Sequence, residues 1–458
     1  MQGGIAKESL GLRQGGGRNI MKIINGVKYW GQLLLLPIYW LSFFMPRNKK
    51  LWLFGSTFGR RFADNPRYLY LYVSQHSDYA SNKVKKVVAD YRNTGHYFEE
   101  DEYVKSVRAV WISHNKDVVQ FLKEEGYEAY YYHSPKGIWM ALRGGIYIFD
   151  NYSKDINFWQ SGRAVKFNLW HGVGNKRINY DNEHDKVRHP KNAWERFQYF
   201  PRRLSDEKPS HYILTTAPMM SEIFARAFQV PMEHIIETGY PRNDILFEDS
   251  GIQNIYFREE QEVHRKLKEW KEDGYQLLSY VPTFRPSESK FLEVMELSRF
   301  NAYLKEHNMI LVCKLHPKST FKKEFEAMEY SNIYHVPAEV DINSFLGEID
   351  LMIADYSSVY SDYKLLDRPV VAFHYDYEEY SSDTRDAYFD WEEYMPEEKA
   401  HTMEELIACI EAVKRRDEAL PLRQESRSRM YKQADARSCR RTVRAIAGIL
   451  KLKTRRNK

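Results

Sequence analysis

Short, largely apolar runs separated by amphipathic stretches of helix length recur along the chain from residue 51 onward. In the first half these runs are LWLFGS (51–56), VRAVWIS (107–113), YEAYYYH (127–133), IYIFDN (146–151), AVKFNLW (164–170) and HYILTT (211–216). Repeated strand–helix alternation predicts parallel sheets joined by crossover helices. One such helix is APMMSEIFARAF (217–228), with Pro218 in the first turn, where a missing N–H costs nothing. A second series begins near IIETGYPRNDIL (235–246). It continues through YQLLSYVPTF (275–284), MILVCKLHP (309–317), NIYHVP (332–337), DLMIAD (350–355) and PVVAFH (369–374). The charged, Gln-rich stretch 252–273 reads as a helix that holds no core, and 403–453 as closing helices.

Two doubly wound, Rossmann-like α/β domains facing a cleft, with a terminal helix crossing back, form the GT-B arrangement. A chain of 458 residues suits it, being too long for one compact core. The expected division is a lead-in over 1–20, a membrane-associating segment over 21–50, domains over 51–236 and 237–430, and a closing helix with a basic tail over 431–458. Ligands of such sheets bind beyond the carboxyl ends of the strands. The site is therefore expected between the domains.

Composition narrows the class. Hydrophobic residues make up 43% and charged residues 29%, which excludes a disordered chain. The net charge of +5 is modest, but residues 437–458 hold nine Lys/Arg and no Asp/Glu. Such a tail fits an anionic membrane surface or a polyanionic substrate, and equally a solvated terminus. Three scattered cysteines, Cys313, Cys409 and Cys439, make neither a disulfide framework nor a zinc site and point to a reducing compartment. The run WGQLLLLPIYWLSFFM (30–45) is shorter than the roughly 20 residues a spanning helix needs. Its aromatic ends and cationic flanks suit a helix or hairpin in the headgroup region; a span and a helix packed on the protein are the other readings.

The chemistry-bearing residues cluster at strand ends. LWHGVGNKR (169–177) carries Trp170 and His171 at a carboxyl end, then Gly172, Val173 and Gly174, where backbone N–H groups can approach a ligand. A neutral imidazole there can take a proton from an attacking hydroxyl. VCKLHPKS (312–319) repeats the design with Lys314 and His316, placed to reach one anionic group. SYVPTFRPS (279–287) sets Thr283 and Arg285 in a proline-stiffened loop, and GYPRND (239–244) sets Arg242 before a helix; both suit phosphate oxygens. After the run 351–355, Ser357 or Ser358 is expected to cap a helix. Its free N–H groups, dipole and hydroxyls would hold a pyrophosphate. Asp362 could accept from a ligand hydroxyl, and Asp355 either holds the donor or orients the loop. No metal-ligand cluster, HExxH or P-loop is found, so no metal or other cofactor is expected, and Lys and Arg would supply charge neutralisation.

At these residues the chain resembles the CDP-glycerol glycerophosphotransferase family of teichoic-acid and capsule polymerases. The matching pieces are WLFGSTFGRRFADNPRYLY, YIFDNYSKDINFWQSGRAVKFNLWHGVG, TGYPRNDIL, PTFR, KLHP and DLMIADYSSVYSDYKLLDRPVVAFHYDYEEY, in the family's order over about residues 50–445. The resemblance implies a GT-B enzyme bound peripherally to the cytoplasmic face of the bacterial cell membrane. It would pass a polyol phosphate from CDP-glycerol or CDP-ribitol to the hydroxyl end of a lipid-linked polyol-phosphate or saccharide acceptor, with no nucleic acid involved. It implies His171 as general base and His316 as a second catalytic residue. Lys314, Arg242, Thr283, Arg285, Ser357, Ser358 and Asp362 would serve the donor, and Arg385 would close over the phosphate. Two departures stand out: Pro396-Glu397-Glu398 replaces the family's Gly-Pro, and DARSCRR lacks a Gly. Two alternatives remain open from sequence: a GT-B glycosyltransferase using a nucleotide sugar, and a non-catalytic membrane-bound polyanion-binding protein.

Overall fold

The computed structural model describes residues 26–207, 210–283, 285, 293–316, 319, 321, 325, 327–378, 380 and 387–452. Two all-parallel sheets carry it. The first has the order β3-β2-β1-β4-β5-β6-β7, built from β1 (Asn48–Phe54), β2 (Arg108–Ser113), β3 (Ala129–Tyr131), β4 (Gly144–Phe149), β5 (Val165–Asn168), β6 (Tyr212–Thr215) and β7 (Ile235–Glu237). The second has the order β10-β9-β8-β11-β12-β13, from β8 (Gln276–Tyr280), β9 (Met309–Cys313), β10 (Ile333–His335), β11 (Leu351–Ala354), β12 (Val370–Phe373) and β13 (Lys399–Ala400). Helices cover both faces, so central strands are apolar throughout: β4, β9, β11 and β12 are buried along their whole length. Strand order reverses between β1 and β4 and again between β8 and β11. A crevice opens beyond the strand ends at each reversal.

Three expectations are corrected. The segment at 235–237 closes the first sheet as β7 and does not start the second. The helix Arg258–Glu272 does hold core: Val263 and Leu267 are buried with Glu260. The pair Lys399–Ala400 adds an edge strand too short to carry a periodic signal.

The domains are tied by buried charge. Arg67, in the helix Asp64–His76, donates to Glu260 (2.7 Å) and to the Ile255 carbonyl (2.7 Å). The terminal helix Ser438–Leu450 returns to the first domain's end, where the Ser438 and Cys439 N–H groups donate to Asp244 at 2.8 and 2.7 Å.

The 30–45 segment folds as short helical turns, Gln32–Leu35, Leu36–Leu41 and Ser42–Phe44. One side packs on the first domain: buried Ser42 accepts from the Gly162 N–H (2.9 Å), and Tyr39 stacks on Phe158 with centroids 4.8 Å apart. Leu34, Trp40, Leu41 and Phe44 face outward. Among the described residues no helix is long and apolar enough to cross a membrane.

Candidate active site

The cleft between the sheets holds a cavity of about 570 Å³. Its walls come from the loops that follow β1, β5, β8, β9 and β11. Of the residues singled out from sequence, Trp170, His171, Gly172, Gly174, Thr283, Lys314, His316, Ser357 and Ser358 line it. The loop after β5 meets the loop after β11 directly. A Cβ added at Gly172 would lie 3.8 Å from the Ser358 hydroxyl and 2.9 Å from Arg242 Nη2. With φ at +142°, no other residue fits Gly172's place without strain.

His171 sits on the cleft floor with its ring open to the cavity. Its Nδ1 lies 3.2 Å from the Asp150 carbonyl oxygen. That oxygen can only accept, so the proton resides on Nδ1 and Nε2 keeps its lone pair. Although one side of the ring is exposed to the cavity, the protein crowded around the rest of it holds the imidazole pKa below its ordinary 6.5, the Asp150 charge opposing and Arg242 assisting. The ring is therefore neutral at pH 7 and able to accept a proton at Nε2. Trp170 packs against it at 3.9 Å with the rings tilted by 32°, and adopts φ +52°, a strained conformation of the kind that gathers at functional sites. Asn65 Nδ2 holds the Trp170 carbonyl at 2.9 Å.

Opposite, β11 ends in Asp355. This fully buried carboxylate accepts from the Thr283 N–H (2.8 Å), the Thr283 hydroxyl (3.0 Å), Arg285 Nη1 (2.7 Å) and the Ser357 N–H (3.0 Å). It orients three loops and does not line the cavity. The expected cap is absent: Ser358 stands at the N-cap with helical φ/ψ and makes no capping bond to the five-residue helix Val359–Tyr363. The Ser357 and Ser358 hydroxyls make no hydrogen bond with another described residue and point to the cavity's lining. Lys314 Nζ, across the cavity, donates to the Ala338 carbonyl (2.9 Å), with Pro337 O at 3.4 Å.

Three residues assigned to the donor from sequence are placed otherwise. Arg242 is buried, donating from Nη1 to Asp64 (2.8 Å) and the His171 carbonyl (2.7 Å), and from Nη2 to Asp362 (2.5 Å). Asp362 spends its other oxygen on the Tyr431 hydroxyl (3.0 Å). Arg285 donates from Nε and Nη2 to Asp376 (2.7 and 3.1 Å) and from Nη1 to Asp355. These groups already have counter-charges, so they frame the cleft and do not face a ligand. Val173 is turned into the core. Arg385 lies outside the described residues.

Sequence reasoning missed Arg61, Asn175, Lys176, Tyr356 and Tyr388, all of which line the cavity. Asn175 joins the domains: its carbonyl accepts from the Tyr388 N–H (2.7 Å) and its side chain pairs with the Phe389 backbone (2.7 and 3.0 Å). Arg61 follows β1 at the switch point, a position that the strand-end rule applied to β1 would have found. Among the described residues no group of three or more His, Cys, Asp or Glu could hold a metal ion.

Two facing Rossmann-like domains, a neutral histidine and a hydroxyl-lined cradle with cations in one cleft define a transferase of GT-B type acting on a phosphate-bearing donor. The chain belongs to the CDP-Glycerol:Poly(glycerophosphate) glycerophosphotransferase family, which it matches over residues 79–448. It is 26% identical over 395 residues to the teichoic acid poly(glycerol phosphate) polymerase of Bacillus spizizenii, covering 83% of this chain and 89% of that one. It is 25% identical over 405 residues to the teichoic acid glycerol-phosphate transferase of Staphylococcus aureus, covering 84% and 88%. The structure of the wall teichoic acid polymerase TagF superposes with a TM-score of 0.65 at 18% identity, over 94% of this chain and 98% of that one, and shows the shared fold.

Proposed function

We propose that the protein transfers a polyol phosphate, glycerol phosphate in the first instance, from its CDP ester to the terminal hydroxyl of a membrane-linked polyol-phosphate polymer. The acceptor oxygen attacks the β-phosphorus in line. A new O–P bond forms as the bond from that phosphorus to the bridging oxygen breaks, CMP leaves, and the acceptor proton passes to His171 Nε2. Ser357, Ser358, Lys314, His316 and Thr283 hold the donor phosphates and offset charge developing on CMP. Asp355, Arg285, Arg242 and Asp362 keep these loops in place, and Arg385 is assigned to the donor phosphate by motif alone.

The observation that carries this reading is the meeting of the His171–Gly174 loop with Ser358 across one cleft, with Nε2 left as an acceptor. Purified protein incubated with CDP-glycerol, CDP-ribitol and a UDP-sugar, and assayed for CMP or UDP release in the presence of acceptor, tests it. CMP release is expected; UDP release alone would favour a glycosyltransferase, and neither product would favour a binding protein.

The same reading places the enzyme at the cytoplasmic membrane face. The outward Leu34, Trp40, Leu41 and Phe44 continue into exposed Trp194, Phe197 and Phe200 of the helices Ala193–Gln198 and Phe200–Asp206. Trp30 packs on Phe197 at 4.8 Å and joins the two groups. Apolar residues of this size, with Lys28, Lys49 and Lys50 alongside, suit insertion among anionic headgroups.

A further inference from the structure

Arg61 is the one arginine lining the cavity among the described residues. It reaches there from a loop whose shape is forced. Thr57, Phe58 and Gly59 take φ of +49°, +55° and +76° in succession. Left-handed backbone at a β-branched or bulky residue costs about 1–3 kcal/mol and persists only where its surroundings impose it. Here the Asp150 carboxylate accepts from the Ser56 hydroxyl (2.6 Å) and the Thr57 N–H (2.9 Å), and Asp155 accepts from the Phe58 N–H (3.1 Å). The Gly59 carbonyl accepts from the His114 N–H and the Ser113 hydroxyl, both at 2.7 Å. Asp150 is the residue whose carbonyl also holds His171. One residue thus sets both the base and the loop that carries Arg61.

The guanidinium is only partly used. Nη2 donates across the domain gap to the Glu339 (2.7 Å) and Val340 (3.2 Å) carbonyls, next to the Pro337 and Ala338 carbonyls that take Lys314. Nε and Nη1 make no hydrogen bond with another described residue. Arg242 and Arg285, by contrast, each answer two carboxylates. Against the effect of burial, the Arg67 charge and with it that of Arg61 hold the Asp341 carboxyl below its usual range, but no carboxylate among the described residues hydrogen-bonds to the Arg61 guanidinium. An edge left open in this way, in a cleft built for phosphates, suits a two-pronged grip on phosphate oxygens.

We propose that Arg61 binds the phosphodiester of the acceptor's terminal polyol-phosphate unit and so selects a phosphate-bearing acceptor end over a neutral one. This rests on the transfer reaction given above. The acceptor's anion is favoured over the donor's because Arg61 shares its framework with His171, beside which the attacking hydroxyl must lie. The donor-holding groups Lys314, His316, Ser357 and Ser358 all belong to the other domain. In a polyol-phosphate chain the unit that carries the attacking hydroxyl also carries a phosphodiester, so one framework can hold both.

Arg61→Ala and Arg61→Gln separate the possibilities, with melting temperatures recorded for each. Gln keeps an N–H donor for the 339–340 carbonyls but loses the charge and the fork. The acceptors are a short alkyl-linked oligo(glycerol phosphate) and its phosphate-free alkyl glycerol counterpart. For both variants the acceptor KM of the phosphate-bearing compound is expected to rise about 10- to 100-fold, the span of a lost charge-assisted pair. The donor KM and the rate on the phosphate-free acceptor should stay within about twofold, as at sites free of such contacts. Arg61→Gln at wild-type values would overturn the proposal and leave only an interdomain tie. A raised donor KM would reassign Arg61 to the donor and overturn it equally. A wild-type enzyme that turns over no CDP-polyol would instead remove the underlying reaction, and the assignment with it.

Discussion

Arg242 is the sharpest test of whether a charged residue near this cleft binds or frames. As a donor contact, its loss would weaken donor binding and leave folding alone. Its geometry argues the reverse. Nearly all of it is buried; both terminal nitrogens are spent on Asp64 and Asp362, which belong to different domains, and on the His171 carbonyl. Arg242→Ala leaves two carboxylates without their cation, one of them fully buried. Removing one partner of a buried pair costs about 3–5 kcal/mol, chiefly because an uncompensated charge stays behind. The loss should depend on pH. Burial already pushes the Asp64 carboxyl up to about 7 even with Arg242 beside it. Without the arginine the folded state holds that proton more tightly still. A carboxyl whose folded pKa lies above its unfolded value favours the fold while protonated, and the benefit fades as pH rises. The variant should therefore be weaker at pH 8 than at pH 5.5, relative to wild type at each pH. Urea titration followed by tryptophan fluorescence at both pH values measures this, and calorimetry with CDP-glycerol on the folded variant measures donor affinity. Full stability with donor affinity lowered tenfold or more would refute the reasoning and return Arg242 to the ligand.

His171→Ala should lower CMP release by about 10²–10⁴-fold, the usual share of a general base, with little change in melting temperature. The wild-type kcat/KM should be level above pH 6.5 and fall in acid, because the protein crowded around the imidazole holds it below that value and only the neutral form accepts a proton; an alkaline-only rise would refute the assignment. The double variant Ser357→Ala/Ser358→Ala should raise the donor KM by about 5- to 100-fold, two hydrogen bonds at roughly 1 kcal/mol or more each, with acceptor KM unchanged in a steady-state assay. Replacing Leu34, Trp40 and Phe44 by Ser should abolish co-sedimentation with vesicles containing anionic lipid. Each large apolar side chain contributes about 1.5–3 kcal/mol when buried in lipid, while the exposed starting positions predict an unchanged fold.

What the sequence revealed, and what it hid, divides along a physical line. Apolar runs between helical stretches located twelve of the thirteen strands, because a parallel strand covered on both faces must be apolar and helices must bridge its neighbours. The rule that ligands gather past carboxyl ends then placed His171, Lys314, His316, Thr283, Ser357 and Ser358 in one cavity. The rule says where a residue stands and nothing of what it faces. Arg242, Arg285 and Arg61 all follow strands and all look alike as letters, yet two are answered by carboxylates from distant parts of the chain. Asp64 lies 178 residues from Arg242, Asp362 120 residues away, and Asp376 91 from Arg285. Periodicity carries no signal for such pairings, since they depend on how two domains close. A guanidinium between two buried carboxylates has its charge satisfied, so a phosphate there would face the carboxylates' repulsion as well as the arginine's attraction. Near a phosphate site, then, an arginine's role follows from its counter-charges and not from its motif. By that criterion the frame here is Arg242 and Arg285, and the hand that reaches into the cleft is Arg61.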